Sequence, residues 1–381
     1  MKKNIRIAFT GGGTGGHVYP LLAVAEEVNR FLEQQGSTYA LYYFGNAGRF
    51  APDFFAQHIR IVSTVSFKLR RYMAFANVID AIKLPFAFVV AFWKMFLVMP
   101  DVLFSKGGTG ALPVVFAAWF FRVPVFIHES DSIPGLSNTF SFRFAKRVGV
   151  SFSKTLERWK GEGVALVGNP LRSFLFDDEE QVSQESARRV FGFSNRYPVL
   201  LVLGGSQGSA RINDFMLDNV SIFVGAYQVL HQTGADNFED FKSELAVATK
   251  NLIPEQRSQY KVVNFFNKEL KEALMAADIV ISRSGSGSIF EIAAFGKPSI
   301  LIPLKESARN HQFFNAYEYE HAGACVVIEE DNLSPSVFFA QLSKILSDKA
   351  LYQKMSQNAF LFAKPDAAKL IAREVVRIAG I

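Results

Sequence analysis

Short apolar and β-branched runs alternate with longer amphipathic segments along almost the whole chain, which is the pattern of a parallel sheet with helices on both faces. "IRIAF" predicts a first strand, followed by a glycine-rich loop and a helix over roughly 17–35. "TYALYYFG", "DVLFSKGG", "VPVFIHE", "RVGVSF" and "VALVGNP" predict the strands that follow. The stretch "LRSFLFDDEEQVSQESARRVFGF" is charged, without a long apolar run, and reads as a connection between domains. A second series opens with "YPVLLVLGG" and continues through "AYQVLHQTG", "YKVVNFF", "ADIVISRSG", "PSILIP" and "GACVVI". Two doubly wound α/β units in tandem are expected, with the boundary near Gly168–Leu171.

Composition agrees and narrows little. A chain of 381 residues accommodates two domains, and 20% charged with 14% aromatic residues argues against disorder. The single cysteine, Cys325, leaves no intramolecular disulfide or multi-cysteine metal site, and its apolar setting predicts a buried thiol. The amino terminus has two lysines but only a short apolar run, so it reads as a strand and not as a signal peptide.

Charge is uneven. Residues 1–170 hold 19 Lys and Arg against 10 Asp and Glu, a net of +9, whereas the remainder holds 22 and 25, a net of −3. A basic first half implies an acidic partner, whether nucleic acid, an anionic membrane face or a phosphorylated substrate. The most apolar stretch, Leu84–Met99, is interrupted by Pro85 and Lys94 and is too short to span a bilayer, which takes about 20 apolar residues. It reads either as a buried helix or as a helix partly exposed to lipid, flanked by Lys68, Arg70, Arg71, Lys83 and Lys94.

Three glycine-rich loops each follow a strand and open a helix. In "TGGGTGGHVYP" the glycines permit a tight turn, and amides at a helix start can approach an anion or sugar oxygens. The spacing Gly11, Gly13, Gly16 formally fits a dinucleotide fingerprint, yet no acidic residue ends "TYALYYFG" to hold a ribose. His17 sets an imidazole at that helix start, as a structural or a chemical group. "LGGSQGSARIN" repeats the device with Gly204, Gly205 and Gly208, and Ser206 and Gln207 add hydrogen-bonding groups. "SRSGSGSIFEIAAFGKP" is the third, with Ser284–Ser288 as loop and Glu291 about one turn into the helix. Glu291 either accepts from ribose hydroxyls or simply favours the helix dipole, worth about 0.3–1 kcal/mol. There is no Walker lysine motif or HExxH, and "HES" at His128–Ser130 lacks the elbow of a serine hydrolase.

Taken in order, "GGGTGGHVYPLLAVAEE", "IHESDSIPGLSN", "VGNPLR", "LGGSQGSARIN", "RSGSGSIFEIAAFGKPSILIPL" and "NHQFFNA" resemble the MurG family of bacterial peptidoglycan glycosyltransferases over nearly the whole chain. The resemblance implies a GT-B fold, two Rossmann-like domains facing across a cleft. These are 1–168, joined by a carboxyl-terminal helix at 367–381, and 169–366. It implies transfer of N-acetylglucosamine from UDP-GlcNAc to lipid I, the undecaprenyl-linked acceptor, giving lipid II. By position, Thr14, Gly15, Gly16, Asp131, Arg172, Ser206 and Gln207 are expected to meet the donor. Phe266 stands where a main-chain group reads uracil. Ser286, Gly287, Ser288, Ile289, Phe290 and Glu291 are expected to cradle the nucleotide, with Glu291 on the ribose, and Gln312 reads the sugar hydroxyls. Gly107, Gly108, Thr109, His128, Glu129 and Asn138 are the acceptor-side candidates. In the loop "KGGTGALP", Thr109, Gly110 and Ala111 replace the aromatic-x-Ser version of many relatives, and Asp131 stands where some carry Asn.

His17 is the expected general base, since a histidine titrates near pH 6.5 and is neutral in part at pH 7. The resemblance implies no metal or other cofactor, no nucleic acid, and peripheral attachment to the anionic cytoplasmic face of the membrane, with cell-wall synthesis proteins as possible company. Two-domain nucleotide-sugar epimerases, non-catalytic nucleotide-sugar-binding subunits and dehydrogenases remain as rival readings. An epimerase would act on UDP-sugars without an acceptor.

Overall fold

The computed structural model describes residues 4–65, 75–176, 183–205 and 207–380, with side chains from 83 onward in the first helix after the 65–75 break. Lys68, Arg70, Arg71 and Ser206 therefore lie outside the described residues. The chain divides into two compact units, Met1–Arg172 with Lys364–Ile381, and Ser173–Ala363.

The first unit is built on seven strands: β1 (Ile5–Thr10), β2 (Tyr39–Phe44), β3 (Ile59–Val62), β4 (Val102–Ser105), β5 (Val125–Glu129), β6 (Arg147–Val150) and β7 (Val164–Leu166). Their order is β3-β2-β1-β4-β5-β6-β7, and every pair is parallel. β4 and β5 are buried at every position, as a strand covered on both faces must be. The Gly15–Gln34 and Ala367–Ile378 helices pack together on one face, with Leu21, Val28, Ile371 and Val375 inside. Arg147 of β6 reaches Glu374 of the last helix at 3.0 Å.

On the other face lie the Phe75–Val98 and Ala111–Phe120 helices. Neither alternative for the apolar stretch is sufficient alone. Ala87, Ala91 and Met95, four residues apart, form a fully buried stripe. Phe86, Val89, Trp93, Phe96 and Leu97 are each more than half exposed, and Trp119 and Phe120 of the neighbouring helix add to that apolar surface. Among the described residues no helix is long and apolar enough to cross a membrane.

The second unit has six parallel strands: β8 (Val199–Leu203), β9 (Gln228–Gln232), β10 (Tyr260–Val263), β11 (Ile279–Ser282), β12 (Ser299–Leu301) and β13 (Cys325–Val327). They run in the order β10-β9-β8-β11-β12-β13. Cys325 is a buried free thiol, as its apolar setting implies. Sequence patterning missed β3, and the first helix begins at Gly15, two residues before the expected start.

Both sheets reverse strand order once, between β1 and β4 and between β8 and β11. Outside the carboxyl ends of strands at such a point the loops diverge and leave a crevice, the usual ligand position in open α/β sheets. All three glycine loops found in the sequence, and "KGGTG" after β4, sit at these two points.

Gly168, just past β7, adopts φ +85°, and a Cβ there would overlap the Lys364 side chain where the chain re-enters the first unit. Gly168→Ala is expected to lower stability by about 1–3 kcal/mol, the usual cost of a left-handed non-glycine residue plus crowding. Urea denaturation of the two proteins side by side measures it, and an unchanged midpoint counts against the packing.

Candidate functional site

In the first unit, residues 11–14 lead from β1 into the Gly15–Gln34 helix, whose N-cap is the exposed Thr14. Thr14 does not cap with its hydroxyl. Its carbonyl accepts from the His17 and Val18 amides, while its Oγ1 pairs with His17 Nδ1 at 2.8 Å. The imidazole lies flat against Gly12, where a Cβ would stand 3.0 Å from Nδ1. His17 is thus half-buried in the first turn, with Thr14, Gly15 and Gly16 beside it.

The loop after β4 meets this one backbone to backbone. Gly108, at φ +93°, comes so close to Gly12 that a Cβ would stand 2.8 Å from its N and Cα. Gly107, at φ +84°, lies against the Asn138 amide, which a Cβ would meet at 2.6 Å. Thr109 follows, half-buried. Tyr19, two residues after His17, has the Arg172 guanidinium 5.2 Å above its ring. Asp131 is half-buried and donates its amide to Glu129, and its carbonyl accepts from Thr155.

Behind this surface lies a buried polar network. Glu129 Oε1 accepts from the Asp131 amide, and Oε2 from the Gly135 amide and Asn138 Nδ2, each at 3.0 Å. Burial, with Asp131 adding, pushes the Glu129 carboxyl above its ordinary range. Lys106 Nζ donates to Ser130 Oγ, and Ser130 Oγ in turn to Asn169 Oδ1 at 2.8 Å. Burial lowers the Lys106 amine to about 8 against the opposing pull of Glu129 and Asp131. His128 has no exposed surface, and its Nε2 bonds the Gly168 carbonyl at 2.8 Å. Burial and then Lys106 hold it well below the usual histidine value. The ring of His128, an acceptor-side candidate, is enclosed and braces the chain after β7. Glu129 and Asn138, at 4% and 5% exposure, shape the loop more than they face solvent.

In the second unit, residues 204–209 lead from β8 to the Ala210–Asp218 helix. Ser209 caps that helix through Ile212 N, and Gln207 is exposed. Gly208, at φ +80°, is so close to the Thr233 carbonyl that no Cβ fits, and Gly234 is equally close to Gly208. Gln232, at the end of β9, joins two candidate segments: Nε2 donates to the Gly205 carbonyl at 3.0 Å, and Oε1 accepts from the Phe266 amide at 2.9 Å. The sequence reading missed Gln232; a polar residue closing an apolar strand was its only signal.

The third loop ends sooner than expected. Gly285 is the N-cap, and Ser286–Ala294 is the helix, so Ser286, Gly287 and Ser288 form its first turn, where the amides have no partner within the helix. Glu291 sits one turn further along, half-buried. Ile289 and Phe290, expected in the nucleotide cradle, have buried side chains at 0% and 1% exposure; the Phe290 ring lies tilted against Phe362, and the Ile289 amide bonds the Gly285 carbonyl. Gln312 lies in the first turn of the His311–His321 helix, its Oε1 accepting from Leu304 N at 3.0 Å and its carbonyl from Ser284 Oγ at 2.8 Å. Arg309 and Asn310, just before it, both hold positive φ, a strained entry for non-glycine residues. Among the described residues no three His, Cys, Asp or Glu side chains gather as a metal site.

Residues 7–150 match the glycosyltransferase family 28 N-terminal domain, and residues 199–371 match the family 28 C-terminal domain. The chain belongs to glycosyltransferase family 28. It is 35% identical, over 98% of its length and 99% of the relative's, to the UDP-N-acetylglucosamine–N-acetylmuramyl-(pentapeptide) pyrophosphoryl-undecaprenol N-acetylglucosamine transferase of Clostridium kluyveri. Among solved structures it is similar to MurG of Acinetobacter baumannii, with TM-score 0.72, 24% identity, and coverage of 98% and 99%. A UDP-GlcNAc 2-epimerase from Neisseria meningitidis shares the fold at TM-score 0.67 and 11% identity, covering 98% and 100%. The family member is a hexosyltransferase with two Rossmann-like α/β domains of the GT-B kind.

In the second unit His231 of β9 is wholly buried, with Nε2 against Asn213 Oδ1 at 3.1 Å and Nδ1 against Tyr260 OH at 2.9 Å. Asn213 Nδ2 donates to the Thr233 carbonyl, so Oδ1 is an acceptor and His231 carries its proton on Nε2. Burial lowers its pKa to about 3. Since the unfolded value is about 6.5, the unfolded chain binds the proton first as pH falls. The stability from neutral His231 is complete above about pH 6.5 and is lost on acidification towards 3. The urea midpoint is expected to fall between pH 7.5 and 5, and His231→Gln to flatten part of that fall. Equal pH dependence in both proteins would contradict the assignment.

Proposed function

We propose that this chain moves N-acetylglucosamine from UDP-GlcNAc to the C4 hydroxyl of N-acetylmuramic acid in lipid I, with inversion, yielding lipid II. The observation that carries the reading is His17, half-exposed at a sheet switch point with its Nδ1 on the Thr14 hydroxyl. With Nδ1–H donated to Thr14, Nε2 is the basic nitrogen. It takes the acceptor hydroxyl proton as the O4–C1 bond forms, and the bond from C1 to the diphosphate oxygen breaks with UDP leaving. Gly108 packs on Gly12, against which His17 lies, and Gly107, Gly108 and Thr109 take the acceptor side, with Thr14, Gly15, Gly16, Asp131 and Arg172 assigned to the donor's sugar and diphosphate.

The second unit holds the nucleotide. The Phe266 carbonyl reads the base, Glu291 accepts from the ribose hydroxyls, and the amides of Ser286, Gly287 and Ser288 meet oxygens of the nucleotide. Gln312 meets the sugar. Charge developing on the departing diphosphate is met by Ser206, Gln207 and the start of the Ala210–Asp218 helix, where amide groups point at an anion.

The acceptor's polyprenyl chain gives the apolar surface of the Phe75–Val98 helix a purpose. Exposed Phe86, Val89, Trp93 and Phe96 enter the interfacial region, with exposed Lys83 and half-buried Lys94 favouring anionic headgroups. The protein then works peripherally at the cytoplasmic leaflet.

Radiolabelled UDP-GlcNAc incubated with and without lipid I tests the reaction: labelled lipid II forms only with acceptor present, and interconversion of UDP-sugars without acceptor supports an epimerase instead. His17→Ala is expected to reduce kcat by about 10²–10⁴, the range of general-base catalysis, while UDP-GlcNAc still binds. Turnover at the wild-type rate removes His17 from that role. Lys83→Glu with Lys94→Glu is expected to reduce co-flotation with anionic vesicles, most at low salt, and unchanged flotation counts against this surface.

A further inference from the structure

We infer that Lys106 is a positioning residue for the acceptor side of the transfer: its buried amine ties the glycine loop after β4 to the loop after β5 and, through Ser130, to Asn169 beyond β7. The inference rests on the reading of Gly107–Thr109 as acceptor-side.

Lys106 is 3% exposed and turned inward. Its Cβ packs beneath Gly11, where a glycine Cβ would stand 3.4 Å away, so it underlies both glycine loops of the unit. Direct grip on the acceptor's pyrophosphate is ruled out by this enclosure. Packing alone gives no reason for a lysine, because apolar residues at a buried ionic site are often as stable or more so. What the amine supplies is geometry and charge. It holds Ser130 while Ser130 holds Asn169, three segments fixed by one side chain.

It also supplies a positive charge that acts on Glu129, which accepts three hydrogen bonds that curl the chain from Asp131 to Asn138. Asn138 then lies against Gly107. Without the ammonium, burial and the neighbouring Asp131 favour the protonated carboxyl, which loses acceptor capacity. The bonds that set Asn138 against Gly107 weaken with it. The ionisable groups around this pair are His128 and Asp131 from β5 and its loop, and His17 across Gly11 and Gly12.

The test compares wild type, Lys106→Met, Glu129→Gln and the double variant for lipid II synthesis, with KM measured separately for lipid I and UDP-GlcNAc across pH. Lys106→Met is expected to raise KM for lipid I about 10- to 100-fold, the scale of a small misplacement, with KM for UDP-GlcNAc within about twofold. Its acidic rise in lipid I KM begins at higher pH than in wild type, and the double variant lacks that shift. A wild-type lipid I KM and profile in Lys106→Met, or equal rises in both KM values, overturns the inference. If Lys106→Met does not fold, the double variant, free of both buried charges, decides: a raised lipid I KM alone supports the tie, and a wild-type value overturns it. A wild-type chain that makes no lipid II overturns the transferase reading instead.

Discussion

Main chain against main chain, with no room for a Cβ between, is the contact on which the first unit's chemistry depends. Gly108 rests on Gly12 at the reversal of strand order between β1 and β4, and each backbone shapes the other. The second unit reaches the same solution with Gly208 against Thr233 and Gly234. At such a point a crevice exists by topology, and bare backbone makes it narrow enough for amides to meet oxygens. Few side chains then have to be supplied. His17 rests on the surface that Gly12 leaves bare, and a larger residue at 12 would push the ring away.

What was legible in the sequence was whatever is local. The buried strands announced themselves as apolar runs, and the glycine loops as breaks between strand and helix. β3 did not, because it is an edge strand with exposed Arg60 and partly buried Ile61 and Val62, so its apolar signal is weak. Within the third loop, a contiguous motif hid a helical period. Ser286, Gly287, Ser288 and Glu291 share the half-exposed side, while Ile289, Phe290, Ile292 and Ala293 turn into the core. The ties that hold the site are long-range. Gln232 reaches Gly205 and Phe266, 27 and 34 residues away, and Lys106 reaches Ser130 at 24, partners that no spacing along the chain reveals.

Phenylalanine is abundant, 39 of 381 residues, and the abundance has a structural reason in part. Ala87 and Ala91 are small, so the Phe75–Val98 helix approaches its support closely, and the larger rings fill the flanks. Phe92 touches Phe116, Phe120 and Phe121, and Phe116 touches Phe144. Rings packed this way, tilted or edge to face, hold their neighbours in fixed directions, so Trp93 and Phe96 are presented outward from a stiff base. An apolar surface of this kind suits insertion better than a mobile one, since little side-chain entropy remains to be lost on binding.

Hydrogen-bond partners separate the histidines by role. His128, His311 and His321 each bond a main-chain carbonyl and His231 Nε2 an amide oxygen, groups that only accept, while Tyr260 OH meets the other nitrogen of His231. In each, the partner fixes the proton on one nitrogen, and for His128 and His231 burial adds a cost to taking up a second. The His17 partner is a hydroxyl, which donates or accepts as required. With Thr14 accepting from Nδ1, a proton gained at Nε2 leaves that hydrogen bond in place. A base has to hold its orientation while its charge changes, and in the role proposed for His17 a threonine at the N-cap that leaves its capping duty undone allows that.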